Sequence, residues 1–210
     1  MGKLVIVRHG ESEWNARGVW TGTTDVHLTA KGRADAAKMG ELLGDVRFDH
    51  AFASEQVRTH ETLDELLKTA AQSDVPRSYS HALDERDYGD YTGLNKWQVR
   101  DQIGEAAFEA LRRSWDYPMP NGETLKDVFA RTTPYFKEVI APALATGKTI
   151  ILAAHGNSIR SLVKLIEQIP DDKIADVEMI FGTCLFYDFD DSGKLTGRTE
   201  RHILTELPPA

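Results

Sequence analysis

Short apolar runs alternate along the chain with longer stretches in which apolar residues recur at helical spacing. Two predicted strands, over residues 3–7 and 149–154, contain continuous apolar runs at 4–7 and 150–154. Such runs, rich in branched side chains, are typical of strands buried on both faces of a sheet. We predict a further strand over residues 48–53 and a late strand over residues 185–189, which ends in a polar turn at 190–193. The pattern therefore predicts buried strands separated by helices.

Helical spacing follows each of the first two strands. Thr29 is the predicted N-cap of a helix that stops at Gly44, and Ser54 is the predicted N-cap of a helix whose apolar stripe begins at Val57. Between residues 77 and 93 the pattern is irregular and rich in Asp, Glu, Tyr and Gly, so we predict a loop there.

The second half of the chain is also helical between its strands. Two short helices are predicted, one from residue 96 and one over residues 105–115. Thr124 and Asp127 form a predicted capping box that opens a helix to about residue 144, kinked near Pro134.

A last helix is predicted over residues 157–168. Strands that alternate with helices predict an α/β fold, here a single domain over residues 1–210 with a short tail from about residue 204. Helices would flank both faces of a central, mostly parallel sheet.

Composition and charge are those of an ordinary globular protein. Of the 210 residues, 41% are hydrophobic and 28% are charged, and 25 Lys and Arg against 33 Asp and Glu give a net charge of −8. An acidic balance argues against nucleic-acid binding, since phosphates attract clustered Lys and Arg. The apolar runs fall far short of a membrane span of roughly 20 residues, and the first residues show no secretory signal. We therefore expect a cytoplasmic protein that binds neither membranes nor nucleic acids.

Two of the predicted strands end in the same dipeptide. His9-Gly10 follows the first strand, and His155-Gly156 follows the strand over residues 149–154. In α/β sheets, ligands bind outside the carboxyl ends of the strands, so neighbouring strands would bring both histidines to one edge. Each glycine lets the backbone approach a ligand closely. The alternative is a pair of strand-end histidines whose glycines only turn the chain.

The first histidine belongs to a longer string of polar residues. Residues 8–12, Arg-His-Gly-Glu-Ser, together with Asn15 resemble the signature of the histidine phosphatase superfamily. Further segments resemble the cofactor-dependent phosphoglycerate mutases in particular, namely residues 21–22, 84–89, 93–96, 112–116 and 154–158. The resemblance spans roughly residues 3–190, and it implies the fold that the pattern predicts.

The resemblance also implies roles for the residues near the two histidines. His9 would be the nucleophile, because a neutral imidazole whose proton is held on Nδ1 can attack phosphorus without a metal. Arg8, Arg58 and His155 would bind the phosphoryl oxygens, with Asn15 beside them. Such a site transfers a phosphoryl group through a phosphohistidine.

A second group of residues would donate protons and bind the far end of the substrate. Glu85 matches the position of the family's proton donor and acceptor. Tyr88, Lys96, Arg112 and Arg113 resemble the residues that bind a carboxylate or second phosphate. The remaining predicted substrate contacts are Ser12, Thr21, Gly22, Gly156 and Asn157. Without the resemblance, residues 84–87 and 112–113 would be interpreted as a solvated loop and a solvated helix face.

The activity that the resemblance implies is the interconversion of 3-phosphoglycerate and 2-phosphoglycerate in glycolysis and gluconeogenesis, with 2,3-bisphosphoglycerate as primer and no metal. One alternative is a phosphatase of small esters, in which water accepts the phosphoryl group. Another is a non-catalytic module that binds small anionic phosphometabolites. Two histidines and a glutamate could bind zinc, but neighbouring arginines would repel a cation. Cys184 is the single cysteine, which excludes a disulfide or a cysteine zinc cluster.

The sequence departs from the family pattern at three places. Val57 stands where the family commonly has lysine before the arginine. The segment at residues 115–121 is about two dozen residues shorter than in longer mutases, and residues 204–210 contain no lysine. We therefore expect weaker retention of bisphosphoglycerate and a monomer, with a homodimer as the alternative.

Overall fold

In the computed structural model, which describes residues 1–205, the strands form one six-stranded sheet. The strands are β1 (Gly2–Arg8), β2 (His50–Ala53), β3 (Arg77–Tyr79), β4 (Thr149–Ala154), β5 (Thr183–Phe189) and β6 (Leu195–His202), in the order β3-β2-β4-β1-β5-β6. The first four are mutually parallel, and β5 and β6 are antiparallel additions at one edge. The predicted mostly parallel sheet is confirmed.

The helices lie on both faces of this sheet. They are α1 (Glu13–Ala16), α2 (Ala30–Leu42), α3 (Val57–Thr69), α4 (Lys96–Ile103), α5 (Glu105–Arg113), α6 (Leu125–Tyr135), α7 (Ala141–Ala145) and α8 (Gly156–Glu167). Successive residues of β1 point to opposite faces. Leu4 and Ile6 pack with Ile159 of α8, whereas Val5 and Val7 pack with Met39 of α2 and other residues of the second core. The alternation explains why the continuous apolar runs are buried completely.

Two predicted helix starts are confirmed by their hydrogen bonds. The Thr29 side chain accepts from the backbone nitrogen of Gly32, and Thr124 and Asp127 form the reciprocal bonds of a capping box. The predicted cap at Ser54 is wrong, because α3 begins only at Val57 and its N-cap is Gln56. Ser54 instead follows β2 directly, and its hydroxyl forms a hydrogen bond with His155.

The long helix after Thr124 is interrupted as its proline predicts. Pro134 lies in the last turn of α6, and a π-helical segment, Phe136–Ile140, joins α6 to α7. Proline has no N–H to donate and crowds the preceding turn, so a local change of helical pitch accommodates it.

The two edge strands were not predicted. β3 lies in the segment expected to be a loop, and β6 follows the polar turn after β5. Edge strands have an unpaired side and need no continuous apolar run, so the polar sequences of β3 and β6 carry no strand pattern. Residues 206–210 of the predicted tail lie outside the described residues. Within residues 1–205, no helix is long and apolar enough to cross a membrane.

Candidate active site

The two strand-end histidines meet because their strands are neighbours. β1 and β4 pair in parallel with Arg8 opposite Ala154, so His9 and His155 leave the sheet side by side. Their ring centroids are 4.9 Å apart. This position at the carboxyl ends of parallel strands is the one that the paired dipeptides predict.

His9 has one ring nitrogen held and the other left available. Its Nδ1–H donates to the carbonyl oxygen of Gly10 at 2.7 Å, so the neutral ring carries its lone pair on Nε2. Burial, together with the positive charges of Arg58 and Arg8, lowers the pKa of His9 well below its ordinary value. The ring is therefore neutral at physiological pH, as a nucleophile that attacks phosphorus must be.

His155 has both ring nitrogens engaged by protein groups. Arg58 Nε donates to its Nδ1 at 3.2 Å, which places the proton on Nε2, and Nε2–H donates to the Ser54 hydroxyl at 2.7 Å. Burial and the charge of Arg58 lower the pKa of His155 well below its ordinary value. We expected this ring to donate to the phosphoryl oxygens; in the structure its Nε2–H donates to Ser54.

Two arginines flank His9. Arg58 is 1% exposed and donates to the carbonyl oxygens of Thr24 and Gly22, both at 3.0 Å. Arg8 lies 3.8 Å above the Phe181 ring and donates to the carbonyl oxygen of Met179 at 2.7 Å. Burial lowers the pKa of Arg58 to about 10, so it stays cationic at neutral pH.

Glu85 is a buried carboxylate with one well-satisfied oxygen. Its Oε1 accepts from the backbone nitrogens of Arg86 and Asn157, at 2.8 and 3.2 Å, and from the Asn157 amide at 3.1 Å. The same amide donates to the Tyr88 hydroxyl at 3.0 Å. A Cβ added to Gly156 would lie 3.7 Å from Oε2, so this second oxygen faces the backbone at the start of α8. The hydrogen bonds to Oε1 thus hold the carboxylate in place, and Oε2 is left to exchange a proton.

A second group of cations, Lys96, Arg112 and Arg113, also lines the cavity. Lys96 lies 5.8 Å above the Trp20 ring, and burial with the charges of Arg8 and Arg112 lowers the pKa of Lys96 to about 8. The Arg112 guanidinium donates to Glu109 at 3.4 Å. Arg113 donates to Glu109 at 3.0 Å and to Glu178 at 2.5 Å.

These residues surround one cavity of about 300 Å³. Of the residues predicted from the sequence, those that line it are Arg8, His9, Asn15, Thr21, Arg58, Glu85, Tyr88, Lys96, Arg112, Arg113, Gly156 and Asn157. Within residues 1–205, no group of three or more His, Cys, Asp or Glu side chains is placed to hold a metal ion. The predicted site is thus one cationic cavity with a neutral histidine and a carboxylate in its wall.

Comparison with known proteins identifies the group to which the chain belongs. The model of the histidine phosphatase superfamily (branch 1) matches residues 4–198. The chain belongs to the histidine phosphatase superfamily.

Within this superfamily, two similar curated proteins carry the same name. The chain is 41% identical over 198 residues to the 2,3-bisphosphoglycerate-dependent phosphoglycerate mutase of Bartonella quintana, covering 93% of this chain and 96% of that one. It is 44% identical over 187 residues to the enzyme of the same name from Nitrobacter winogradskyi, covering 88% and 90%. The relatives therefore match this chain over nearly their whole length.

Solved structures of the superfamily share the fold. YhfR of Bacillus stearothermophilus superposes with a TM-score of 0.80 at 25% identity, covering 92% of this chain and 94% of that one. A mycobacterial glucosyl-3-phosphoglycerate phosphatase superposes with a TM-score of 0.79 at 24% identity, covering 90% and 93%.

Three predicted site residues lie behind the cavity wall of this superfamily member. His155 is one of them. Ser12 donates its hydroxyl to the Asn15 amide oxygen at 2.8 Å, and Gly22 presents its carbonyl oxygen to Arg58. Ser12 and Gly22 were predicted to contact substrate; in the structure their polar atoms contact Asn15 and Arg58.

Several wall residues were missed. Arg86, Arg160 and the segment over residues 177–181 line the cavity. Arg160 had a usable signal, since it is a charged residue between the apolar residues Ile159 and Leu162 of α8. Residues 177–181 had none, because Val, Met, Ile and Phe between a helix and a strand resemble core.

Proposed function

We propose that the protein is a 2,3-bisphosphoglycerate-dependent phosphoglycerate mutase that interconverts 3-phosphoglycerate and 2-phosphoglycerate through a phosphohistidine at His9. The observation that carries the proposal is the pairing, in one cavity, of a nucleophilic histidine with a second cationic end formed by Lys96, Arg112 and Arg113. A phosphatase that hydrolyses small esters needs the nucleophilic histidine but not the second cationic end. The names of the relatives that are 41% and 44% identical support this choice.

The cavity fits an anion with many oxygen acceptors. Among the described residues, Arg8 Nε, Trp20 Nε1 and Thr21 Oγ1 are buried polar atoms of the cavity wall that have no hydrogen-bond partner. Unpaired buried donors are costly, so an incoming ligand that accepts from them is stabilised. Bisphosphoglycerate supplies the phosphoryl group that primes His9.

The chain's own residues then divide the work of transfer. Phosphorylated His9 gives its phosphoryl group to the free hydroxyl of the bound phosphoglycerate, so the N–P bond breaks as an O–P bond forms. Glu85 accepts the hydroxyl proton and returns it to the oxygen that leaves in the reverse transfer. Arg8 and Arg58 neutralise the charge on the moving phosphoryl oxygens. Lys96, Arg112 and Arg113 hold the carboxylate or second phosphate.

Location, partners and assembly complete the proposal. We expect catalysis without a metal, in the cytoplasm, on small anionic phosphometabolites and without nucleic-acid or membrane partners. The acidic composition supports the absence of nucleic acid. The predicted monomer, with a homodimer as alternative, is tested by size-exclusion chromatography with light scattering.

The test couples 3-phosphoglycerate to enolase with and without added 2,3-bisphosphoglycerate, while released phosphate is measured in parallel. We expect 2-phosphoglycerate formation that depends on the primer, survives EDTA and is inhibited by vanadate. Phosphate release without 2-phosphoglycerate would make the protein a phosphatase. Loss of turnover after chelation, restored by zinc or manganese, would contradict metal independence.

A further inference from the structure

Arg160 is a buried arginine whose guanidinium donates hydrogen bonds to three segments of the chain near the cavity. It is 6% exposed and leaves α8 four residues after Gly156. Its Nη1 donates to Asn157 Oδ1 at 3.2 Å and to the carbonyl oxygen of Arg112 at 3.3 Å. Its Nη2 donates to the carbonyl oxygens of Arg113, at 2.6 Å, and Ile174, at 2.7 Å. All four acceptors are neutral oxygens.

The first of these bonds fixes the direction of the Asn157 amide. Because Oδ1 accepts from Arg160, the amide nitrogen must point the other way, toward Glu85 Oε1 at 3.1 Å and the Tyr88 hydroxyl at 3.0 Å. A flipped amide would place an oxygen against the Glu85 oxygen, and two acceptors repel. Arg160 thus orients the Asn157 amide, which is, among the described residues, the one side chain that donates to Oε1 of Glu85 beside the two backbone nitrogens.

The next bonds fix the far end of the cavity. Arg112 and Arg113 are the last residues of α5, and carbonyls at a helix end have no partner within the helix. Arg160 supplies donors for both of them, and Arg86 donates to the preceding carbonyl, that of Leu111, at 3.1 Å. A cation is also favoured at the negative end of a helix dipole. The side chains of Arg112 and Arg113 leave this anchored turn and line the cavity.

We propose that Arg160 is a positioning residue that sets the distance between the proton-transferring Glu85 and the distal arginines, Arg112 and Arg113, and so fits the cavity to a substrate with two anionic ends. The inference rests on the proposed mutase function. Burial and the nearby charge of Arg86 lower the pKa of Arg160 to about 10, so it remains cationic at neutral pH.

Two substitutions test the proposal. Lysine has one compact ammonium group and cannot replace the planar guanidinium group of Arg160, which donates to acceptors on three segments. Arg160→Lys should therefore lower kcat/KM by about 10²-fold, the loss that a small misplacement of reacting groups produces. The loss should be shared between a lower kcat, through Asn157 and Glu85, and a higher KM, through α5. The control is Arg198→Lys, which alters an arginine of β6 outside the cavity and should leave both constants unchanged.

A double-mutant cycle separates positioning from general damage. If Arg160 acts on Glu85 through Asn157, Arg160→Lys should lower kcat little further in an Asn157→Ala background, while its effect on KM persists. Asn157→Asp keeps an acceptor for Arg160 but removes the donor to Glu85. It should lower kcat, and it tests the same link even if Arg160 variants fold poorly.

Three results would overturn the proposal. They are wild-type kcat and KM in Arg160→Lys, additive effects on kcat in the cycle, and wild-type kcat in Asn157→Asp. Failure of the mutase proposal is visible separately, as a wild-type protein that releases phosphate without forming 2-phosphoglycerate. In that case the same variants are compared by the rate of phosphate release, and unchanged rates would still reject the positioning role.

Discussion

The two ends of the cavity are built in different ways. At the nucleophilic end, His9 follows a strand whose register with β4 places it beside His155, and both rings are almost fully buried. At the distal end, Arg113 comes from the end of a helix and is held by side chains, at 3.0 Å by Glu109 and at 2.5 Å by the half-exposed Glu178. Backbone pairing positions His9 at the first end, whereas exchangeable ion pairs hold the side chain of Arg113 at the second.

This difference predicts that one end of the cavity carries out phosphoryl transfer and the other end binds the substrate. A phosphoryl transfer needs the nucleophile and its counter-charges in fixed positions before the substrate arrives. A mutase must also let its bisphosphate intermediate turn around, which requires a distal end that can release one anionic group and accept another. The chemistry should therefore be sensitive to small changes near His9, and binding should be tuned by the carboxylates around Arg113.

The largest effect is expected at the nucleophile. His9→Ala removes the only attacking atom that we assign, so mutase turnover and the acid-labile, alkali-stable phosphoenzyme should both vanish. Incubation with labelled bisphosphoglycerate followed by acid and alkali treatment measures this. His202→Ala, a histidine on β6 outside the cavity, is the matched control and should be labelled normally. Label that persists in His9→Ala would reject the assignment.

The next prediction separates the two ends by kinetics. Glu85→Gln should lower kcat by about 10²–10⁴-fold with a small change in KM, because it removes proton transfer. Arg113→Ala should mainly raise KM, by about 10- to 10²-fold, because it removes a charged hydrogen bond made before and during transfer. Steady-state kinetics with 3-phosphoglycerate measure both variants. If both lowered kcat alone and by the same factor, the division between the ends would be wrong.

A pH dependence should distinguish Lys96 from the arginines. Burial and the charges of Arg8 and Arg112 lower the pKa of Lys96 to about 8, so its charge is present below pH 8 and lost as the pH rises through that value. The affinity for phosphoglycerate should fall on the alkaline side, by about tenfold for one lost charged contact. Lys96→Met should bind more weakly at neutral pH and lose this alkaline limb. A wild-type KM that stays constant from pH 7 to 9.5 would contradict the assignment.

The smallest effect should have the opposite sign. Glu178 forms an ion pair with Arg113 in the structure, so an anion that binds Arg113 must displace Glu178. Glu178→Gln should therefore lower KM, by up to about fivefold because exposed ion pairs contribute about 0.2–1 kcal/mol. Asp101→Asn, which alters an exposed carboxylate of α4, is the control. A raised KM in Glu178→Gln would show that this carboxylate supports the site instead of competing with its ligand.

A contrast between buried and edge strands explains which parts of the fold could be predicted from the sequence. The buried strands β1 and β4 have continuous apolar patterns, so their positions and the meeting of His9 and His155 could be predicted. The polar edge strands β3 and β6 could not, because exposed edges need no apolar pattern.

The unexpected contacts at single residues have a common cause. Ser12, Ser54 and Gly22 were assigned from their place in a motif or beside a helix, but their hydrogen bonds are made to residues distant in the sequence or to a neighbouring side chain. Arg160 had no predicted role because three of its four acceptors are carbonyls on other segments. Pairing between distant segments is a property of the tertiary structure, which a local pattern does not contain.

The most direct test of the account is the fate of the phosphoryl group once it is on the protein. Radiolabelled phosphoenzyme is isolated and mixed with 3-phosphoglycerate in a single turnover, and the label is measured in bisphosphoglycerate, phosphoglycerate and inorganic phosphate. We predict that the wild-type protein transfers the label to phosphoglycerate and that Arg113→Ala sends more of it to water. Label that appears only as inorganic phosphate, whatever the concentration of 3-phosphoglycerate, would contradict the account.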